Sequence, residues 1–143
     1  MIVYLDTSSL LKVYIEERGS QDVRAMVGGA SLIGTSLVTY AETRSGLARA
    51  RLATRLTAAA YTTALEAFEI NWARFDAIAV SESLVRDAGA LAEKHLLRGF
   101  DAIHLASALV LQRESAESVT FSAWDDRLLA SARAEGLTAP PHA

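Results

Sequence analysis

Ile2-Val3-Tyr4-Leu5-Asp6-Thr7-Ser8 opens the chain with four apolar residues, an acid and two hydroxyl residues. The apolar run reads as a short buried strand. Asp6 ends it where a helix through Leu10, Leu11, Val13 and Tyr14 begins. The same order returns late in the chain, where Val119-Thr120-Phe121-Ser122-Ala123-Trp124-Asp125 leads into Leu128 and Leu129. Strands alternating with helices imply a parallel sheet flanked by helices, joined by right-handed crossovers. In such a sheet the carboxyl ends of the strands share one rim, and ligands bind there.

Between these two stretches the period switches repeatedly. Gly19 separates the first helix from a short one around Asp22 to Val27, closed by Gly28-Gly29. Ser31 to Thr35 is a second strand, and Ser36 offers an N-cap hydroxyl. A helix from about Leu37 to Arg51 puts Leu37, Ala41, Ala48 and Leu52 on one arc, expected to face the core, with Glu42 at its border. Thr57 to Trp72 carries Tyr61, Leu65, Phe68 and Trp72 as a core stripe. Ala77 to Val80 is a third strand, followed by a helix with Leu84, Val85, Ala88, Leu91 and Ala92 inward. The helix through Phe100 to Leu111 is apolar on most sides and so packs on more than one face. Ser118 to Phe121 is a fourth strand, Asp125 to Glu135 the last helix, and Leu137 to Ala139 a possible short fifth strand. No repeat, linker or low-complexity stretch interrupts this pattern, so residues 1–143 are expected to form one α/β domain.

Composition narrows the chemistry. The chain has 143 residues, is 51% hydrophobic and 22% charged, and carries a formal charge of −3. A binder relying on a bulk positive field would be basic, so a polyanionic partner must be gripped locally. There are no cysteines, which excludes disulfides, zinc–thiolate sites and thiol nucleophiles and fits a reducing cytoplasm. The chain shows no signal peptide and no apolar helix long enough to span a bilayer, so a soluble cytoplasmic protein is expected.

Four acids stand at strand exits or helix starts: Asp6, Glu42, Asp101 and Asp125. Three of them have an ordinary structural role open to them. Asp6 and Asp125 are well placed as N-caps, and Glu42 can pair with Arg49 on the helix surface. Asp101 is harder to explain, because an unpaired charge in the first turn of a mostly apolar helix is costly. Brought to one rim, four carboxylates repel one another and favour a hard divalent cation. That combination points to metal-dependent chemistry on phosphate.

Leu5-Asp6-Thr7-Ser8, Thr39-Tyr40-Ala41-Glu42, Phe100-Asp101-Ala102-Ile103-His104-Leu105-Ala106 and Trp124-Asp125-Asp126-Arg127-Leu128 resemble, in order and spacing, the motifs of PIN-domain ribonucleases, most closely the VapC-type toxins of toxin–antitoxin modules. The resemblance covers essentially the whole chain. It implies a three-layer α/β/α sandwich with a central, mostly parallel sheet of four or five short strands, usually as a homodimer. It also implies an acidic site holding Mg²⁺ or Mn²⁺ that cleaves RNA, and a small cognate antitoxin that neutralises the toxin. Carried over by position, Asp6, Glu42, Asp101 and Asp125 match the family acids as catalytic and metal-binding residues. Ser8 matches a hydroxyl that often supports the first acid. The Asp-x-x-Leu frame selects Asp125 over Asp126. The family often has Thr or Ser two residues before the fourth acid, where this chain has Ala123, and Ser122 could substitute only after a backbone shift.

On that reading water attacks the phosphodiester and leaves a 5′-phosphate and a 3′-hydroxyl. His104, one turn after Asp101, is expected to pack or hydrogen-bond rather than serve as general base. Trp124 either packs or stacks a base. Arg44, Arg49, Arg51, Arg55, Lys94 and Arg98 are candidates for RNA phosphates. A phospho-aspartate phosphatase or receiver domain fits poorly, because no second Asp stands two residues after Asp6 and the last lysine is Lys94. A non-catalytic PIN-like binding or regulatory module is the alternative.

Overall fold

In the computed structural model, residues 1–141 are described. Four strands, β1 (Ile2–Leu5), β2 (Leu32–Ser36), β3 (Asp76–Ile78) and β4 (Val119–Ser122), form one sheet in the order β3-β2-β1-β4. All pairings are parallel; Ile2 stands opposite both Leu32 and Val119, and Leu5 opposite Ser122. The expected fifth strand shrinks to a single parallel bridge, Thr120 with Thr138, beside β4.

Among the described residues seven helices join or follow the strands: α1 (Thr7–Tyr14), α2 (Ser20–Gly29), α3 (Thr39–Leu52), α4 (Ala58–Trp72), α5 (Glu82–His95), α6 (Gly99–Glu114) and α7 (Asp126–Ala134). The alternation of side chains along β1 divides the core in two. Val3 and Leu5 point to one face and pack with Leu10, Val23 and Phe68 from α1, α2 and α4. Ile2 and Tyr4 point to the other, joining Ile78, Val119 and Phe121 beneath α5, α6 and α7. The result is three layers, α/β/α. The α4 stripe packs as expected, with Phe68 buried and Tyr61, Leu65 and Trp72 partly so. Along α6, residues 102, 104–108 and 111 are all buried, as a helix packed on more than one face requires.

α3 departs from its expected orientation. Leu37 precedes the helix and is 51% exposed, and Leu52 ends it at 86%. The buried face is Thr39, Thr43, Leu47 and Ala50 instead. Hydroxyl bonding makes burial of Thr39 tolerable here: Thr35 Oγ1 donates to Leu5 O at 2.8 Å and accepts from the Thr39 hydroxyl at 2.8 Å. For Thr39, a buried polar group with a partner costs little; Thr43 Oγ1 is buried with no hydrogen-bond partner among the described residues, so pairing of hydroxyls does not account for its burial.

The strand order reverses direction at β1. From there β2 and β3 are added on one side and β4 on the other, which creates a crevice beyond the carboxyl ends of β1 and β4. Asp6 and Asp125 follow those two strands and flank the crevice.

Gly34 on β2 lies beneath α6, and a Cβ added there would stand 2.4 Å from Leu111 Cδ2. Gly34→Ala should therefore lower unfolding stability by about 1–3 kcal/mol through overpacking. Urea denaturation would read this as a lower midpoint at unchanged slope.

Candidate active site

Asp6, Glu42, Asp101 and Asp125 come from four separate segments and line one cleft of about 620 Å³, together with Ser8, Arg49, Arg98, His104 and Trp124. Asp126 and Ser122 are not among the residues lining it.

Asp6 is buried at the end of β1 and caps α1, with Oδ1 accepting from Ser9 N at 2.9 Å and Ser8 Oγ at 2.7 Å. The supporting role expected of Ser8 is therefore present. Burial pushes the Asp6 carboxyl above its usual range and the Asp101 charge adds to this; His104, Ser9 and Ser8 pull the other way without prevailing. Asp125 caps α7, with Oδ1 accepting from Leu128 N at 2.9 Å. Asp101 Oδ2 accepts from Arg98 Nε at 3.0 Å, across an arginine side chain that is 82% exposed.

Glu42 does not pair with Arg49. Its Oε1 accepts from Thr7 Oγ1 at 2.6 Å and lies 3.1 Å from His104 Nε2. Partial burial pushes this carboxyl up, but the hydrogen bonds from His104 and Thr7 and the influence of His104 outweigh it, and the net shift is downward. His104 is 3% exposed, and its Nδ1 meets the Tyr4 hydroxyl at 2.9 Å. Both ring nitrogens are thus committed, which leaves no lone pair for a substrate proton. His104 is thus a hydrogen-bonding residue between Tyr4 and Glu42.

The four acids share a pattern. In each, the protein's hydrogen bonds fall on one carboxylate oxygen, and among the described residues none engages the other. A set of carboxylate oxygens alone suits a hard cation such as Mg²⁺. Burial of Asp6 beside the Asp101 charge is a condition that a cation would relieve. The side chains do not converge as they stand, since among the described residues no three His, Asp or Glu groups are close enough to share an ion.

Of the basic candidates, Arg49 and Arg98 line the cleft. Arg44 is bound to Glu69, Arg55 to Glu17 and Lys94 to Glu135. Trp124 lines the cleft with Lys12 Nζ 4.4 Å from its ring centroid. Gly19, at φ +89°, makes room for the indole, since a Cβ there would lie 2.0 Å from the ring. The reading of the sequence missed Thr7 and Tyr4. Thr7 sits inside the first motif and Tyr4 two residues before Asp6, but their partners lie far along the chain and no local pattern exposes them.

A parallel sheet with its switch point at an acidic cleft defines a class, and the comparisons agree with it. The chain belongs to the PIN domain family, whose model matches residues 3–136. It is 34% identical, over 98% of its length and 95% of theirs, to Ribonuclease VapC45 and Ribonuclease VapC49 of Mycobacterium tuberculosis. The crystal structure of VapC20 from the same organism, a sarcin–ricin-loop-cleaving toxin, shares the fold with a TM-score of 0.64. It covers 94% of this chain and 95% of its own at 16% identity, a likeness of fold alone. Among the described residues no helix is long and apolar enough to cross a membrane.

The raised Asp6 carboxyl has a consequence for stability. The native chain holds this proton more tightly than the unfolded chain, whose carboxyl titrates near 3.8. The associated stability is therefore full below that value and is lost as pH rises through the higher native value. Asp6→Asn keeps an oxygen for the cap and removes the buried charge. In chelator-treated protein at pH 7 it should melt no lower than wild type, and its advantage should shrink on acidification toward pH 4, as followed by circular dichroism.

Proposed function

We propose that the protein is a metal-dependent endoribonuclease that cleaves RNA by water attack, and that it is the toxin of a toxin–antitoxin pair. The observation that carries this reading is the meeting of four acids from four distant segments in one cleft, each with an oxygen not engaged by the protein. Near-complete alignment with two ribonucleases supports the substrate class.

Asp6, Asp101 and Asp125, with Glu42, would hold Mg²⁺ or Mn²⁺, which supplies water activation at neutral pH and charge stabilisation on the leaving oxygen. Glu42, pinned through Oε1, presents Oε2 to orient the attacking water. Arg49 and Arg98 hold the phosphates on either side of the scissile bond. Water attacks phosphorus, the bond to the 3′-oxygen breaks, and that oxygen leaves with a proton. The products are a 5′-phosphate and a 3′-hydroxyl. Local arginines in an acidic protein are what a formal charge of −3 demands of an RNA enzyme. The cleft is also the site that a small antitoxin would block, and a homodimer is the assembly expected from the family resemblance.

Controlled expression of wild type and Asp6→Asn in a bacterial host, with sequencing of 5′-monophosphate RNA ends, tests the chemistry. Wild type should arrest growth and create discrete new ends. Asp6→Asn should reduce them by about 10²-fold or more, the scale of several kcal/mol of metal-assisted stabilisation. Products ending in a 2′,3′-cyclic phosphate would refute water attack, and arrest by both proteins would refute the acidic site. With purified protein, Mn²⁺ should raise the melting temperature of wild type more than that of Asp6→Asn.

A further inference from the structure

The cleft is joined to the core by a hydrogen-bonded chain that the proposed chemistry does not itself require. Tyr4 on β1 is fully buried, stacked on Phe121 of β4 at 5.5 Å and 6° between planes. Its hydroxyl meets Nδ1 of His104 on α6 at 2.9 Å, and the two rings stand edge to face at 72°. The other ring nitrogen, Nε2, faces Glu42 Oε1 on α3 at 3.1 Å, and Thr7 Oγ1 on α1 lies 2.6 Å from the same oxygen.

The direction of these bonds follows from the inventory of donors. A glutamate carboxylate only accepts, so where Nε2 and Glu42 Oε1 bond at 3.1 Å the ring nitrogen is the donor; Thr7 Oγ1 lies at a longer 3.3 Å from Nε2. In the neutral ring Nδ1 is then an acceptor, and the Tyr4 hydroxyl must donate to it. Thr7 donates to the same Glu42 oxygen. Both donors are held by elements of the folded core, so the carboxylate of a cleft-lining residue has one anchored oxygen and one that no described residue engages.

We infer that His104 is a positioning residue for Glu42, with Tyr4 and Thr7 as its supports, and that this chain fixes the orientation of the one acid of the four that sits on α3. The inference rests on the reading of the cleft as a ribonuclease site. His104 touches no reacting atom and acts through the rotamer of Glu42. An imidazole oriented on both nitrogens is a common way to fix a neighbouring group, and loss of such outer partners typically costs about 10–100-fold in activity.

The two amide replacements separate positioning from packing. In His104→Gln the terminal amide reaches the place of Nε2 and can still donate to Glu42. In His104→Asn it reaches the place of Nδ1 and can only meet Tyr4. With folding checked by melting temperature, His104→Asn should lower kcat for RNA cleavage about 10–100-fold at unchanged KM. His104→Gln should recover most of that loss. Tyr4→Phe keeps the ring stack and should give a smaller fall in kcat. Equal activity of the Gln and Asn variants, or a loss carried by KM, would overturn the inference.

A second measurement does not depend on activity or on variants that must fold. The ¹⁵N shifts of His104 in wild-type protein should show a hydrogen on Nε2. A ring protonated at Nδ1 alone would leave nothing to donate to Glu42, and His104 would then be a packing residue. Failure of the underlying reading looks different: Glu42→Gln would leave cleavage intact while the ring still carries its Nε2 hydrogen.

Discussion

β1 has neither a free edge nor a free face. All four of its residues are buried, it pairs with β2 on one side and β4 on the other, and each face supports a separate apolar cluster. A short strand so placed cannot slip by one residue without turning both sets of side chains to the wrong layer. The position of Asp6 at its carboxyl end is therefore as fixed as the core itself. Asp6 N also donates to Ser122 O at 3.1 Å, which ties the start of the cleft to β4 just before the segment that carries Asp125. Ser9 Oγ and Ser122 Oγ meet at 2.9 Å across the same seam. This explains where the Ser122 hydroxyl goes, since it braces α1 and does not enter the cleft.

The charge arrangement follows from that scaffold. The cleft gathers four carboxylates in a protein that is already acidic, and two guanidinium groups stand at its wall. Arg98 is drawn to Asp101, and Asp125 contributes to the same field. An exposed ion pair of this kind contributes little to stability, so the arginine is free to exchange partners. A polyanion approaching the cleft meets local positive charge at the rim, while the bulk field of the molecule opposes it. On the proposed reading, contacts to phosphate would position the substrate without reading its sequence.

Much of this was legible in the residues, for definite reasons. A buried parallel strand is a short apolar run, and β1, β2 and β4 announce themselves that way. The acids were legible because each breaks a local pattern at a strand exit or a helix start. α3 was not legible, because periodicity counts apolar side chains and the buried face of α3 begins with two threonines. Thr35, Thr39 and Leu5 O are joined by hydrogen bonds, and a hydroxyl that finds a partner can occupy a core position that hydropathy alone would give to Leu37 or Leu52. The Tyr4–His104–Glu42 chain was hidden for another reason. Its members lie 100 and 62 residues apart, and only the pairing of β1 beneath α6 brings them within reach.

The structural roles of these acids and the chemical roles proposed for them are compatible at the level of single oxygen atoms. An N-cap needs one acceptor, and a carboxylate has two. Asp6 and Asp125 each give Oδ1 to a helix amide, and no described residue engages Oδ2 of either. The helix thereby orients the acid at no extra cost in ordering. The two caps differ in surroundings: Asp125 is exposed, whereas Asp6 is buried and lies within the field of Asp101. Ionising Asp6 is correspondingly unfavourable for the protein alone, and a cation in the cleft would favour its charged form. The charge state of Asp6 is thus one that a bound ion would change.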